Sequence, residues 1–288
     1  MIIVTGANGQ LGRAVVEKLV KRVPASQVGA SVRDPEKAND LAALGVRVSR
    51  GDFDDPASLA HAFEGATHVL IVSSNASAYG GDPLAQHRSA IEAARAAGAG
   101  RIVYTSHMAA SSASLFPPML DHAATEDMLR QSGVAWTALR NGFYASSGMM
   151  FMGDALKTGA LEVPADGKVS WTTHADLAEA AAIILADEGR YDGPTPPLTA
   201  SQALNLADLT AIASDLQAQP VHRQILPDEA FQAKMASRGM PGHVVGIMLG
   251  FYLASRQGEF AAVDPTLGRL LGRNPISMRD VIAEKVGG

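Results

Sequence analysis

An α/β fold, a doubly wound parallel sheet with a smaller, mostly helical C-terminal lobe, is the architecture this 288-residue sequence predicts. Three observations carry it. Short apolar runs alternate with helical patterns through the first half. A strand, a glycine turn and a helix start follow one another directly from Met1. Beyond residue 145 the alternation loosens and helices dominate. The expected division is a nucleotide-binding domain over residues 1–145 and a substrate lobe over 146–288, with interleaving of the two left open.

The elements follow in order. Ile2–Thr5 is an apolar strand, and Gln10–Arg22 a helix with Leu11, Val15 and Leu19 on one face. Val28–Val32 is the second strand. Asp34 then caps, and Pro35 opens, a helix running to Leu44. Val46–Val48 is a third strand, and Pro56–Phe63 repeats the Asp-Pro helix start. His68–Val72 is the continuous apolar run of a strand buried on both faces. Pro83–Ala97 is an alanine-rich helix ending at Gly98. Arg101–Thr105 is the fifth strand, His122–Ser132 a helix, and Ala135–Leu139 the sixth strand. Right-handed crossovers place the C-terminal ends of all these strands on one edge, where ligands of such sheets bind. Gly and Pro cluster over residues 189–197. Further helices are expected at Asn205–Gln217, Asp228–Arg238 and Val244–Arg256.

Composition narrows the function classes. A hydrophobic fraction of 47% supports a substantial core. A net charge of -5 with no lysine/arginine run speaks against a nucleic-acid surface. The absence of cysteine excludes disulfides, thiolate metal sites and cysteine nucleophiles. The histidines show no metal-ligand spacing, so no metal is expected, and no Gly-x-Ser-x-Gly elbow points to a hydrolase. The longest apolar stretch, Val244–Ala254, has about eleven residues where a membrane helix needs ~20. It reads as a buried helix or as the interface of a homodimer. No secretory leader is seen, and the cytoplasm is the expected location.

Gly6, Gly9 and Gly12 let the backbone turn tightly, let a pyrophosphate approach and let the new helix pack close to the strand. With Asn8, Gln10 and Leu11 they form the cradle expected for a dinucleotide, whose phosphates meet the free N–H groups of the helix start. Arg33 ends the second strand about twenty residues on, where an acidic residue would hold the ribose 2′-hydroxyl of NAD. Its planar fork suits a 2′-phosphate instead, so NADPH is the expected cofactor. Asp52 and Phe53, after the third strand, fall at the adenine rim. Asp52 serves there as a partner of the base or as a solvated loop carboxylate. Ser73 and Ser74 after the fourth strand, and Thr105 in the fifth, fall beside the pyrophosphate and nicotinamide ribose, or serve the turns they occupy.

Hydride transfer needs a bound nicotinamide, a substrate over its C4 face and sometimes a proton donor. A tyrosine with a lysine four residues later would supply that proton. Here Tyr79, Tyr104, Tyr144, Tyr191 and Tyr252 are followed at that distance by Pro83, Met108, Gly148, Thr195 and Arg256. The strand ends offer other groups. His122 is a candidate proton donor or relay, and Asn141 and Tyr144 are candidates for holding a carbonyl or quinone oxygen. Residues 104–107 are expected to face the nicotinamide with them. Trp171, Phe116, Phe151, Met149, Met150 and Met152 form either an apolar wall for a flat substrate or ordinary core.

Five segments, Thr-Gly-Ala-Asn-Gly-Gln-Leu-Gly (5–12), Ser-Val-Arg-Asp-Pro-Glu-Lys-Ala (31–38), Gly-Asp-Phe (51–53), His-Ala-Ala-Thr-Glu (122–126) and Leu-Arg-Asn-Gly-Phe-Tyr (139–144), together resemble the NmrA-like atypical short-chain dehydrogenases/reductases. Within that group the chain looks most like the NADPH-dependent quinone reductases and triphenylmethane dye reductases of bacteria. The likeness extends to Asp176-Leu177-Ala178 and Asp264-Pro265-Thr266-Leu267. It implies a Rossmann-type fold, NADPH at the glycine turn and Arg33, and Asn141 and Tyr144 beside the nicotinamide. Isoflavone-type relatives carry a lysine where this chain has His122, a departure that suits acceptors taking hydride without a strong acid. The expected activity is NADPH-dependent reduction of a small quinone or similarly conjugated, dye-like aromatic molecule. The alternative is a non-catalytic NADP(H)-sensing regulator of the NmrA type.

Overall fold

A computed structural model of the chain describes residues 1–187 and 189–287. Along it run β1 (Ile2–Thr5), α1 (Gln10–Leu19), β2 (Val28–Val32), α2 (Asn39–Ala43), β3 (Arg47–Arg50), α3 (Pro56–Ala62), β4 (His68–Ile71), α4 (Pro83–Ala96), β5 (Arg101–His107), α5 (Pro117–Gln131) and β6 (Ala135–Asn141). There follow β7 (Phe143–Tyr144), α6 (Ala145–Met152), α7 (Ala155–Thr158), β8 (Ala160–Val163), β9 (Trp171–Thr172), α8 (His174–Ala186), β10 (Gly193–Pro194), α9 (Leu206–Gln217), β11 (His222–Ile225), α10 (Asp228–Ser237), α11 (Gly242–Arg256), α12 (Thr266–Leu271) and α13 (Met278–Gly287).

Seven strands form one sheet in the order β10-β6-β5-β4-β1-β2-β3. Every pairing in it is parallel. This is the doubly wound Rossmann-type arrangement, and the strand order reverses between β1 and β4. β1 is four consecutive apolar or β-branched residues, all buried because β2 and β4 flank it on either side. Ile3, Phe63, Ile71, Ile102, Tyr104 and Leu129 share one buried cluster on this sheet. Full burial of one such aliphatic side chain contributes about 1.5–3 kcal/mol.

The six expected strands are present, with shifted ends. β5 and β6 each run two residues further than expected, to His107 and Asn141, so residues read as lying beyond the strands belong to their last pairs. The register sets His107 opposite Asn141. The expected helix 35–44 is split into a 3-10 turn, Pro35–Ala38, and α2. The helix expected at 122–132 begins earlier, at Pro117. Among the Gly/Pro cluster, β10 adds an edge strand, where Pro194 is tolerated because an edge position needs no donor on its outer side.

The chain divides into two compact units. The first holds residues 1–110, 121–141 and 174–196, and the second 111–120, 142–173 and 197–288. Residues 174–196, downstream of the expected boundary at 145, therefore group with the sheet. Within the first unit, Lys18 of α1 lies 3.3 Å from Glu179 of α8. α8 buries Leu177, Ala178, Ala181, Ile184 and Leu185. A helix so broadly apolar lacks the polar stripe that periodicity detects, which is why the sequence did not single it out.

The second unit has its own aromatic core. Phe143 lies 5.0 Å from Phe260, 5.2 Å from Phe251 and 5.5 Å from Trp171, centroid to centroid. Of the two alternatives, apolar wall or ordinary core, the buried members of the group take the second. Trp171 is buried and donates its Nε1–H to the Leu204 carbonyl at 2.8 Å. Phe116 and Met152 are also buried, and Phe151 stacks on Phe251 at 4.2 Å. Of the group, Met150 is exposed. α11 contributes Val245, Phe251, Tyr252 and Ala254 to this core, so much of the stretch 244–254 is buried within the chain itself. No helix among the described residues is long and apolar enough to cross a membrane.

Candidate functional site

The glycine turn joins β1 to α1 by backbone geometry alone. Gly6 has φ +61, in the left-handed region that favours glycine, and its carbonyl accepts the Gly9 N–H at 2.9 Å. A Cβ on Gly12 would lie 2.5 Å from the Gly6 carbonyl oxygen, so only glycine lets α1 start this close to the strand. No side chain caps the start of α1, and no acidic residue lies in its first turn. The first-turn N–H groups, from Gln10 to Gly12, therefore face no competing carboxylate, which is the electrostatic setting for an anion. Leu11 is buried, so it has only its backbone to offer. Asn8 ties the turn to the end of β2, its Nδ2 donating to the Asp34 carbonyl at 2.8 Å.

Arg33, just past β2, is exposed and makes no hydrogen bond or ion pair among the described residues. Asp34 is occupied elsewhere. Its Oδ1 accepts the Glu36 N–H at 3.2 Å, and its carboxylate lies 3.1 Å from Lys37. It caps the 3-10 turn, as the sequence indicated. Asp52 is held as a turn residue, its Oδ1 accepting the Asp54 N–H at 3.2 Å. Phe53 packs against the sheet core. The residues present thus fit a phosphorylated dinucleotide, with backbone donors at the turn and an unpaired guanidinium beyond β2.

The ends of β4, β5 and β6 are joined by side chains instead. Ser73 donates its N–H to Thr105 Oγ1 at 2.8 Å, so the two candidates are brought together. Ser74 donates its N–H to His87 Nε2 at 2.8 Å. A nitrogen that accepts carries no proton, so the His87 proton is on Nδ1. That atom lies 2.8 Å from Thr125 Oγ1, which in turn donates to the Asp121 carbonyl at 2.7 Å. Burial pushes the His87 pKa down to about 4, against a partial opposing pull from Asp82. His107 accepts the Ala109 N–H on Nδ1 at 3.1 Å, and burial pushes its pKa down to about 3.

α5 is anchored onto this edge. Glu126, almost fully buried, accepts from Ser106 Oγ at 2.6 Å and pairs with Arg140 through Nη2 at 2.8 Å and Nε at 3.2 Å. Ser106 and Arg140 are thereby consumed by a structural pair. Ser106 does not stand open as the reading of residues 104–107 implied. His122 lies one turn before Glu126 on the same helix face. Its Nδ1 is 2.8 Å from the Tyr104 hydroxyl, and its ring lies 6.1 Å from that of His107. Burial, then the proximity of His107 and His87, hold His122 well below the usual histidine range. Tyr104 is fully buried beneath it and reaches no open surface.

Asn141, at the last pair of β6, is almost fully buried, and its Oδ1 has no hydrogen-bond partner. A buried acceptor left unpaired costs about 1–3 kcal/mol, a cost that a ligand N–H or O–H would relieve. Tyr144 lies in the second unit, half-buried at the start of α6, its backbone paired with Thr172 of β9. Sequence reasoning missed His87, Glu126 and the burial of Tyr104. The one signal within its reach was the spacing of four between His122 and Glu126.

Residues 6–188 match the NAD(P)H-binding family. The chain is similar to quinone oxidoreductase 2 of Escherichia coli, with 35% identity over 98% of both chains. Among solved structures it resembles the NADPH-dependent quinone oxidoreductase of E. coli complexed with NADPH, with a TM-score of 0.90, 36% identity, and coverage of 100% of this chain and 99% of that one. It also resembles the triphenylmethane reductase of Citrobacter sp. complexed with NADP(H), with a TM-score of 0.88, 32% identity, and coverage of 99% and 100%.

Proposed function

The chain belongs to the NAD(P)H-binding family, and from that premise we propose that it is an NADPH-dependent reductase of a quinone or a similarly conjugated, dye-like acceptor. The observation that carries the reading is full-length similarity, above 30% identity, to both a quinone reductase and a dye reductase. When bound, NADPH supplies the hydride. The chain's own residues bind and orient. The turn at Gly6, Asn8, Gly9, Gln10, Leu11 and Gly12 holds the pyrophosphate on backbone donors. Arg33 selects the 2′-phosphate, because an exposed, unpaired guanidinium forms a charge-assisted pair without first breaking another. Asp52 and Phe53 border the adenine, the free Asp52 Oδ2 being the available acceptor. Ser73, Ser74 and Thr105 line the cofactor's nicotinamide half.

On the acceptor side, Asn141 offers its amide Nδ2–H to a carbonyl oxygen and His122 a ring nitrogen, while the unpaired Asn141 Oδ1 suits an N–H donor of the cofactor's carboxamide. Tyr144 is an independent candidate from the second unit. A cytoplasmic setting, where NADPH is kept reduced, suits this chemistry.

The test is loss of NADPH absorbance in the near ultraviolet with a panel of quinones and triphenylmethane dyes. Turnover that falls at least about tenfold in Asn141→Ala or Tyr144→Phe supports the assigned roles. Full turnover in both variants removes these residues from the site. Tight NADPH binding with no turnover on any acceptor favours the sensing regulator instead.

A further inference from the structure

Tyr104 and His122 form a pair to which the proposed reaction assigns no joint role. Tyr104 is fully buried, its ring edge-on to His87 at 5.3 Å and tilted against His122 at 5.7 Å. His122 is only half-buried, so it alone of the pair reaches outward from this edge of the sheet. The two histidines beside it are neutral, with tautomers set by backbone N–H groups. Ser74 fixes the proton of His87 on Nδ1, and Ala109 fixes that of His107 on Nε2.

The remaining hydrogen bond, 2.8 Å between the Tyr104 hydroxyl and His122 Nδ1, has its direction set by acidity. A phenol is a far better proton donor than a neutral imidazole N–H, and an imidazole nitrogen a far better acceptor than a phenolic oxygen. The O–H therefore donates to Nδ1, and the His122 proton is left on Nε2.

We infer that Tyr104 is a positioning residue that locks His122 as the neutral Nε2–H tautomer, so that His122 meets the acceptor as a hydrogen-bond donor and not as an acid. Identifying the acceptor as a quinone rests on the proposed function, whereas the tautomer does not. Hydride arriving at a quinone gives a hydroquinone monoanion. The Nε2–H stabilises the oxygen on which charge develops, and it keeps its own proton because neutral imidazole is a much weaker acid than hydroquinone. Water supplies the proton that completes the hydroquinone. The low proton affinity of His122 among its neighbours agrees with this role. It also accounts for a histidine serving where isoflavone-type relatives carry a cationic lysine.

The experiment is long-range nitrogen–proton NMR of the full-length protein labelled with ¹⁵N-histidine, the His122 signals assigned by their loss in His122→Gln. The expected result at neutral pH is an Nε2–H tautomer in the unsubstituted protein and a mixture in Tyr104→Phe. Turnover of a quinone is expected to fall about fivefold in Tyr104→Phe and to change little when Tyr104→Phe is added to His122→Gln. An imidazolium or an Nδ1–H tautomer in the unsubstituted protein overturns the proposal. So does an equal loss on adding Tyr104→Phe in both backgrounds. If no quinone or dye is turned over, the reductase reading fails, and the NMR result still decides the tautomer.

Discussion

Two neighbouring stretches of the same sheet edge are built in opposite ways. Around Gly6–Gly12 the structure is local and made of backbone. The constraint is a positive φ, a 2.5 Å approach that only hydrogen survives, and a helix start without a cap. Around β4, β5 and β6 it is made of side chains drawn from distant positions, Ser74 with His87, Tyr104 with His122, and Ser106 and Arg140 with Glu126. The first design suits a part common to every dinucleotide and tolerates little change. The second is a set of buried polar contacts, each of which can change one residue at a time.

Substitutions that add or remove one group separate the two stretches. The largest effect is expected at Gly12→Ala, whose methyl meets backbone atoms that have no room to withdraw. NADPH affinity should fall by about a hundredfold or more, with a matching loss of stability near 3 kcal/mol, read by calorimetric titration and thermal melting. Unchanged binding would mean that the turn does not hold the cofactor.

In the other stretch, His87 predicts an acid limb in the stability curve. Its folded pKa of about 4 lies below the usual 6.5, so the unfolded chain takes up a proton that the folded one refuses. Stability is complete above pH 6.5 and declines as pH falls towards 4, by about 3 kcal/mol at most. His107 and His122 share this limb, so His87→Gln should make the decline of denaturant midpoints across that window shallower without abolishing it, even if it lowers them at neutral pH. An unaltered slope would assign the acid sensitivity to other groups.

Arg33→Ala should weaken NADPH by about 1.5–3 kcal/mol, roughly ten- to a hundredfold, and leave NADH nearly unchanged. Equal losses for the two nucleotides would show that Arg33 does not read the 2′-phosphate. The smallest effect has an unusual sign. Asn141→Leu removes a buried, unpaired oxygen and should raise the stability of the cofactor-free protein by about 1 kcal/mol while lowering turnover. A destabilised variant would mean that the Asn141 amide serves the fold.

The same contrast explains what could be read from sequence. The glycine turn, the Asp34 cap and the six strands were legible because each signal lies within a few adjacent residues. β10 and α8 were not, one being two residues inside a Gly/Pro cluster and the other a helix with no polar stripe. Phe116 and Trp171 were legible as apolar, but the choice between core and pocket wall was not, since the residue types that line a flat ligand's pocket also fill an interior. His122 was legible as a candidate, yet its partner Tyr104 was read as facing the cofactor. Only the fold shows that Tyr104 lies beneath His122 with its hydroxyl spent on it.

The most direct test of a reductase built on this divided sheet is a single turnover. The protein is loaded with one equivalent of NADPH deuterated at the transferred position and mixed anaerobically with a quinone, no flavin being present. The account predicts stoichiometric NADPH oxidation with formation of hydroquinone, slower than with the protiated cofactor. NADPH that stays bound and unoxidised across the quinone and dye panel would contradict it.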